Sequence, residues 1–262
     1  MKGLLVSLWA ENLKVRKSKI FLVTIFLFSF IGVMMGLLIF VSHHPEIAGR
    51  SATIGAKASM VGNGDWPSFW SLLIQVILSL GTMGFGIVAS WVFGREYSDR
   101  VIKDLLALPI SRLTIVVSKF IVIFIWCILL ALALWIVGFL TGLVVHIPNW
   151  STEVAFNNFT TFLISCILTI LLCTPVAFIA SLGRGFLLPI GFVLFSLIIT
   201  QLVCVGIPGI APYFPWAFPA LFSGIAGQAI PPACVLSYII FGITVLFGFL
   251  GTAYWWLFAD QT

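Results

Sequence analysis

Arg95, Glu96, Asp99, Arg100, Lys103, Asp104, Arg112 and Lys119 crowd into one stretch, residues 94–119, between two long apolar runs. The chemistry they offer is ion pairing rather than catalysis. Glu96 precedes Arg100, and Asp99 precedes Lys103, by four residues with the acid first, the favourable order for pairs on a helix surface. Val101, Leu105 and Leu108, with Ile102 and Leu106 beside them, add an apolar stripe of helical period. Pro109 disfavours helix at Leu108, and Ser111 is placed to N-cap the helix that follows. The expected element is a short amphipathic helix between two membrane spans. It is either a docking element for a soluble partner or a solvated connector, and spacing alone does not separate the two.

Other chemistry-bearing residues point to less. His43, His44 and Glu46 invite a metal reading, but adjacent histidines point different ways on a regular element and no further ligand has the spacing of a zinc site. We therefore expect no metal. Cys127, Cys166, Cys173, Cys204 and Cys234 are scattered without a CxxC pair, mostly within apolar runs, and read as small buried hydrophobes. The sequence contains no G-x-x-x-x-G-K-[ST], H-E-x-x-H or G-x-S-x-G motif. No acidic residue falls in the middle of an apolar run, although ion-coupled transporters usually need one there. The interior polar groups are uncharged: Gln75, Thr169, Thr174, Thr200 and Gln201, best read as interhelical hydrogen-bonding groups. These features argue against an enzyme and against a self-powered ion-coupled pump.

The elements that must position these residues are membrane spans. The 262 residues are 61% hydrophobic and 8% charged, whereas soluble domains carry roughly 25% charged residues. The expected fold is an all-α integral membrane protein, a single transmembrane domain over 1–262. Residues 3–18 suit an interfacial helix, with Leu5, Leu8, Trp9 and Leu13 on one side and Ser7, Glu11, Lys14 and Lys17 on the other. Six spans are expected at 20–41, 68–93, 120–145, 156–180, 186–206 and 233–259, each near the ~20 residues that cross a bilayer core. The first apolar run is long and lacks a small-residue cleavage pattern, so it reads as a retained span rather than a signal peptide. Gly32 and Gly36 in the first span, and Gly138 and Gly142 in the third, allow close helix packing. Pro175 is expected to kink the fourth. Residues 207–232 hold Pro208, Pro212, Pro215, Pro219, Pro231 and Pro232 with five aromatics and no charge. A re-entrant or interfacial hairpin fits that composition best.

Eleven of the 13 Lys and Arg residues fall on the N-terminal side of this layout, leaving Arg50 and Lys57 opposite. By the positive-inside rule both termini and residues 94–119 are cytoplasmic, and the 207–232 hairpin is external. The excess of basic residues thus sets topology and does not point to nucleic acid.

The plan resembles the permease subunit of type-2 ABC export systems. The resemblance covers nearly the whole chain in layout and is residue-specific in two places: Glu11, Lys14, Arg16 and Lys17 before the first span, and Glu96, Leu105, Leu106, Pro109, Ser111, Arg112 and Lys119 around the charged stretch. Asp99-Arg100-Val101 departs from the family's common Gly-Thr at that point. The resemblance implies a pair of permease chains, homo- or heterodimeric, in a bacterial inner membrane. A separate ATP-binding subunit, carrying the ATP and Mg, would dock on a coupling helix within 96–108. Glu96, Tyr97, Arg100, Lys103, Asp104, Leu105, Leu106, Pro109 and Arg112 would contact that subunit, braced by Glu11 and Lys14. No cofactor is expected in this chain. Cargo by analogy is a hydrophobic peptide, antibiotic or lipid-like molecule, as in bacitracin- and lantibiotic-resistance exporters. The alternative is a non-transporting scaffold or sensor that binds a cytoplasmic partner through residues 94–119.

Overall fold

The structure is a computed structural model that describes residues 2–44, 64–99, 110–227 and 229–258. Among these residues all regular structure is helical. Helix α1 (Lys2–Arg16) leads into α2 (Lys19–Ser42). Helices α3 (Trp66–Ser98), α4 (Arg112–Val144), α5 (Thr152–Leu182) and α6 (Leu187–Gly206) follow. Two 3₁₀ turns, Pro208–Tyr213 and Pro215–Ala217, then lead to a short α7 (Phe218–Phe222) and to α8 (Val235–Phe258). Six of these helices, α2 to α6 and α8, are long and apolar enough to cross a membrane. The third of them starts at Arg112 rather than at the expected Phe120. Ser111 caps it as its sequence position suggested: its Oγ accepts from the Thr114 N–H at 3.2 Å. Arg112 and Lys119 are therefore helical residues, not loop residues.

Helices α3 and α5 are the most enclosed of the six, whereas α2, α6 and α8 present most of their surface outward. Close packing of α2 on α4 depends on Gly32 and Gly36. A Cβ on Gly32 would lie 3.0 Å from the Leu134 carbonyl oxygen, and one on Gly36 would lie 2.6 Å from Thr141 Oγ1. The small-residue motif of the first span is thus occupied within the chain, and is not a vacant face for a second copy. In α5 the helix breaks at Leu172, between Thr152–Leu171 and Cys173–Leu182. Pro175 has no N–H to give to Leu171. The Thr174 hydroxyl lies 2.9 Å from that orphaned carbonyl and 2.9 Å from the Val245 carbonyl of α8. The expected kink is therefore also a junction with the last span, where Gly248 lets the backbone of α8 lie against Thr174 and Pro175.

Residues 207–227 fold back on the ends of α5, α6 and α8 as 3₁₀ and single-turn helix. Ala211, Pro212, Ala217, Phe218 and Pro219 are buried. Phe218 packs on Phe241 and Tyr238 at 4.7 and 4.9 Å, and Trp216 on Phe192 at 5.4 Å. Prolines suit this segment because 3₁₀ turns leave few N–H groups to satisfy.

Helix α1 turns its Ser7 and Glu11 side to the protein interior and leaves Leu5 and Trp9 outside. Leu5 and Trp9 are 65% and 67% exposed, while Ser7 and Glu11 are buried. The polar side lies on α4 because α4 supplies partners for it.

Candidate functional site

The polar face of α1 meets the C-terminal end of α3 and the N-terminal end of α4 in a cluster of four charges, three of them buried and Lys14 at its rim. Lys119 Nζ donates to Glu11 Oε2 at 3.2 Å, to Glu96 Oε1 at 2.8 Å and to the Val92 carbonyl at 3.0 Å. An ammonium has three hydrogens, so this one is fully used. Lys14 Nζ donates to Glu11 Oε1 and to Glu96 Oε1, both at 2.8 Å. Two carboxylates and two ammonium groups cancel, and each anion touches both cations. Lys119 is completely inaccessible and Glu96 is 2% exposed. Such burial is costly unless every charge is paired and hydrogen-bonded, and here every charge is.

The electrostatics follow from that geometry. Burial alone would push the Lys14 ammonium down, but the adjacent carboxylates of Glu11 and Glu96 outweigh it and hold its pKa above the ordinary lysine value. Around the cluster further bonds tie the same helix ends together. Ser7 and Ser118 share a 2.6 Å hydrogen bond between α1 and α4. Lys119 Nζ sits 5.9 Å from the ring centroids of Phe93 and of Trp256 in α8, and Trp256 Nε1 donates to Ser181 Oγ of α5 at 3.0 Å. Arg112 Nη1 donates to the Trp256 and Leu257 carbonyls at 3.4 and 3.1 Å, a favourable cation at the C-terminus of α8. Five helices are joined at this one end.

The residues singled out from the sequence are distributed unevenly. Glu11, Lys14 and Glu96 come together: Glu96 faces the interior and pairs with Lys14 and Lys119. Tyr97 lies edge-on to Trp256 at 6.3 Å. Arg112 binds the end of α8. Asp99 pairs with Arg95 at 3.0 Å, and the Arg95 guanidinium stacks 5.0 Å from the Trp91 ring. Arg100, Lys103, Asp104, Leu105, Leu106 and Pro109 lie outside the described residues, as does Glu46. His43 ends α2, and His44 Nδ1 is 2.9 Å from the Phe40 carbonyl. Among the described residues no group of three or more metal-ligating side chains gathers. Sequence reasoning missed the centrality of Lys119. The signal was present: with Ser111 as cap, Lys119 falls two turns inside a helix, in line with Ile115 and Val122 on its apolar face.

A second polar region lies about 30 Å away, the rise of the 21 residues from Gln75 to Glu96 along α3. There α3 takes one π-helical turn, Ile77–Gly81, a deviation that often marks functional sites. Ser79 and Thr82 hydroxyls donate to the Gln75 and Leu78 carbonyls at 2.7 Å each. A cavity of about 380 Å³ opens beside it, lined among others by Gln75, Ser79, Thr82, Thr200, Gln201 and Trp216. The interior polar groups anticipated as interhelical bridges are thus partly cavity-lining.

The family model described as "ABC-2 family transporter protein" matches residues 7–200, which include Glu11, Lys14, Glu96 and Lys119. The chain belongs to the ABC-2 family of transporter proteins. It is an ABC-2 type permease, a multi-pass membrane protein. Bacitracin transport permease protein BCRB of Bacillus licheniformis is 28% identical to it over 182 residues, 68% of this chain and 85% of that protein. The ABC-2 match begins within α1 and runs into α6, so it takes in the charge cluster and the α3 side of the cavity wall.

Proposed function

We propose that this permease is the membrane-spanning subunit of an ATP-driven exporter in a bacterial inner membrane. A separate ATP-binding subunit, holding the ATP and Mg, docks on residues 94–119. The Glu11–Lys14–Glu96–Lys119 cluster carries the displacement of that segment into the spans. One observation supports this reading above the rest: the chain leaves α3 just after Glu96 and re-enters helix at Arg112, two turns before Lys119, and Glu96 and Lys119 pair with each other and, through Lys14 and Glu11 respectively, with α1. A force on the intervening segment therefore moves α1, α3 and α4 together. Surface ion pairs would slip under such a force, since exposed pairs contribute only ~0–1 kcal/mol. Breaking a buried pair costs about 3–5 kcal/mol. Two permease chains form the pathway. Both termini lie on the cytoplasmic side, where the basic residues concentrate.

The cargo we assign is a hydrophobic peptide of the bacitracin kind. The uncharged cavity by Gln75 and Gln201 suits an apolar molecule with a few amide groups, and the 207–232 segment covers it from outside as a re-entrant hairpin. The test is reconstitution in lipid with the ATP-binding subunit. Stimulated ATPase activity should fall in Glu96→Gln and Arg100→Glu while co-purification of Glu96→Gln persists. Unchanged ATPase in both variants would leave a scaffold or sensor, and no association with an ATP-binding subunit would overturn the assignment.

A further inference from the structure

We infer that the junction of α1, α2 and α4 holds one anionic phospholipid, its phosphate on Arg16 and one acyl chain in the slot beneath. A cleft of about 470 Å³ opens there, within the ~300–1,000 Å³ of small-ligand sites. Its walls are apolar: Phe21 of α2 and Val122, Trp126 and Leu129 of α4. Asn12 and Arg16, both exposed on α1, are the polar side chains that line it. From Val122 to Leu129 the wall descends along α4 by seven residues, about 10 Å of helix rise. The polar rim lies at the α1 end and the apolar floor runs toward the bilayer centre, which is the order of polarity along a phospholipid.

Two further observations favour a lipid over other occupants. The first is charge. Among the described residues Arg16, Lys17 and Lys19 form no ion pair, although all three surround the short turn between α1 and α2. Lys17 and Lys19 line the neighbouring cleft with Arg95. Basic residues at a membrane surface attract anionic headgroups with about 1 kcal/mol each. The second is wall rigidity. Trp126 Nε1 donates to Thr24 Oγ1 at 3.2 Å, and its ring meets Phe21 edge-on at 5.5 Å. The slot is thus held open by buried contacts, and Ile125 and Leu129 at its side are 49% and 44% exposed, so it is open laterally to lipid. With Leu5 and Trp9 also facing outward, the bound lipid would fix α1 against the bilayer while its other face holds the charge cluster. The inference does not depend on the cargo or on the ATP-binding subunit.

Native mass spectrometry of the purified protein tests it, after incubation with phosphatidylglycerol or phosphatidylcholine and graded delipidation. The wild type should retain one phosphatidylglycerol per chain in preference to phosphatidylcholine. Arg16→Gln should weaken that retention roughly five-fold, the equivalent of about 1 kcal/mol for one basic contact. Leu129→Trp, a change at an exposed position that fills the slot, should weaken retention without lowering thermal stability. Lys17→Gln, on the adjacent cleft, should change it less than Arg16→Gln. Equal retention of both lipids, equal effects of Arg16→Gln and Lys17→Gln, or indifference to Leu129→Trp would reduce the basic residues to topology signals and overturn the site. Lipid found only on monomers would assign the slot to a second copy of the chain, and displacement by bacitracin would assign it to cargo; either result would also overturn it.

Discussion

The two polar regions of this ABC-2 permease solve the same problem in opposite ways. At the end near residues 94–119, three buried charges and the partly exposed Lys14 form one cluster, and each is satisfied by at least two partners. At the other end, uncharged amides and hydroxyls stand around an open cavity, and the hydroxyls there turn back onto carbonyls of their own helices. A buried charge tolerates only the arrangement that pairs it, so the first region is held together as a unit. A neutral polar group loses less when its partner changes, so the second region is less tightly bound to one arrangement. Stiffness and adaptability are separated by about 30 Å along a single helix, α3.

The largest effect that would test this contrast is Lys119→Met. It leaves Glu11 and Glu96 short of a cation in a closed site and should cost about 3–5 kcal/mol of stability, read as a drop in the melting temperature of the detergent-solubilised protein. A drop as small as that of a surface substitution would break the comparison. Adding Glu96→Met to that variant should restore much of the loss, because Glu11 and Lys14 remain as a neutral pair. The double-mutant cycle should show a coupling of about 0.5–3 kcal/mol. The restored protein should still fail to couple ATPase to transport, which separates stability from transmission.

The pH response sharpens the comparison further. Lys14 is held charged above its ordinary value of 10.5. Its contribution is therefore complete below that value and is lost as pH rises through the raised one. Asp65 caps α3 at the other end: its Oδ1 accepts from the Ser68 hydroxyl at 2.7 Å and from the Ser68 N–H at 3.1 Å. Those bonds keep its pKa below the ordinary 3.8. Its contribution is complete above 3.8 and is lost as pH falls through the lowered value. Melting temperatures of Lys14→Gln and wild type should thus converge only in strong alkali, and those of Asp65→Ala and wild type only in strong acid. At neutral pH, Asp65→Ala should cost about 1 kcal/mol, the usual loss for a helix cap. The smallest stability effect belongs to Gln201→Leu, within about 0.5 kcal/mol. That variant should nevertheless alter the peptide protection conferred in a resistance assay. An unchanged resistance profile would detach the cavity from transport.

Much of the architecture was legible because membrane insertion is governed by local composition. Six apolar runs, the Ser111 cap and the break at Pro175 depend on residues within a turn or two of one another, and each is found in the structure. The π turn at Ile77–Gly81 was not legible. Its sequence, ILSLG, is ordinary for a helix, and the irregularity is expressed only where the helix borders a cavity. The two lysine partners of Glu96 were not legible either, for a related reason. Arg100, four residues on, is the obvious local partner, but Lys14 and Lys119 lie 82 and 23 residues away in the chain. Helical spacing cannot weigh such distant competitors.

By itself the sequence determined that this chain is an all-helical membrane protein with six spans, where most of them begin and end to within a few residues, and which segments carry charge. Hydropathy, capping and proline sterics act over short range and need no partner. Only the tertiary structure decided that the polar face of α1 turns inward, that Gly32 and Gly36 are spent on α4, and that four scattered charges form one closed cluster. Those outcomes depend on which groups meet in a low-dielectric interior. There an unpaired charge costs far more than any local preference supplies, so the fold is settled by the arrangement that leaves none unpaired.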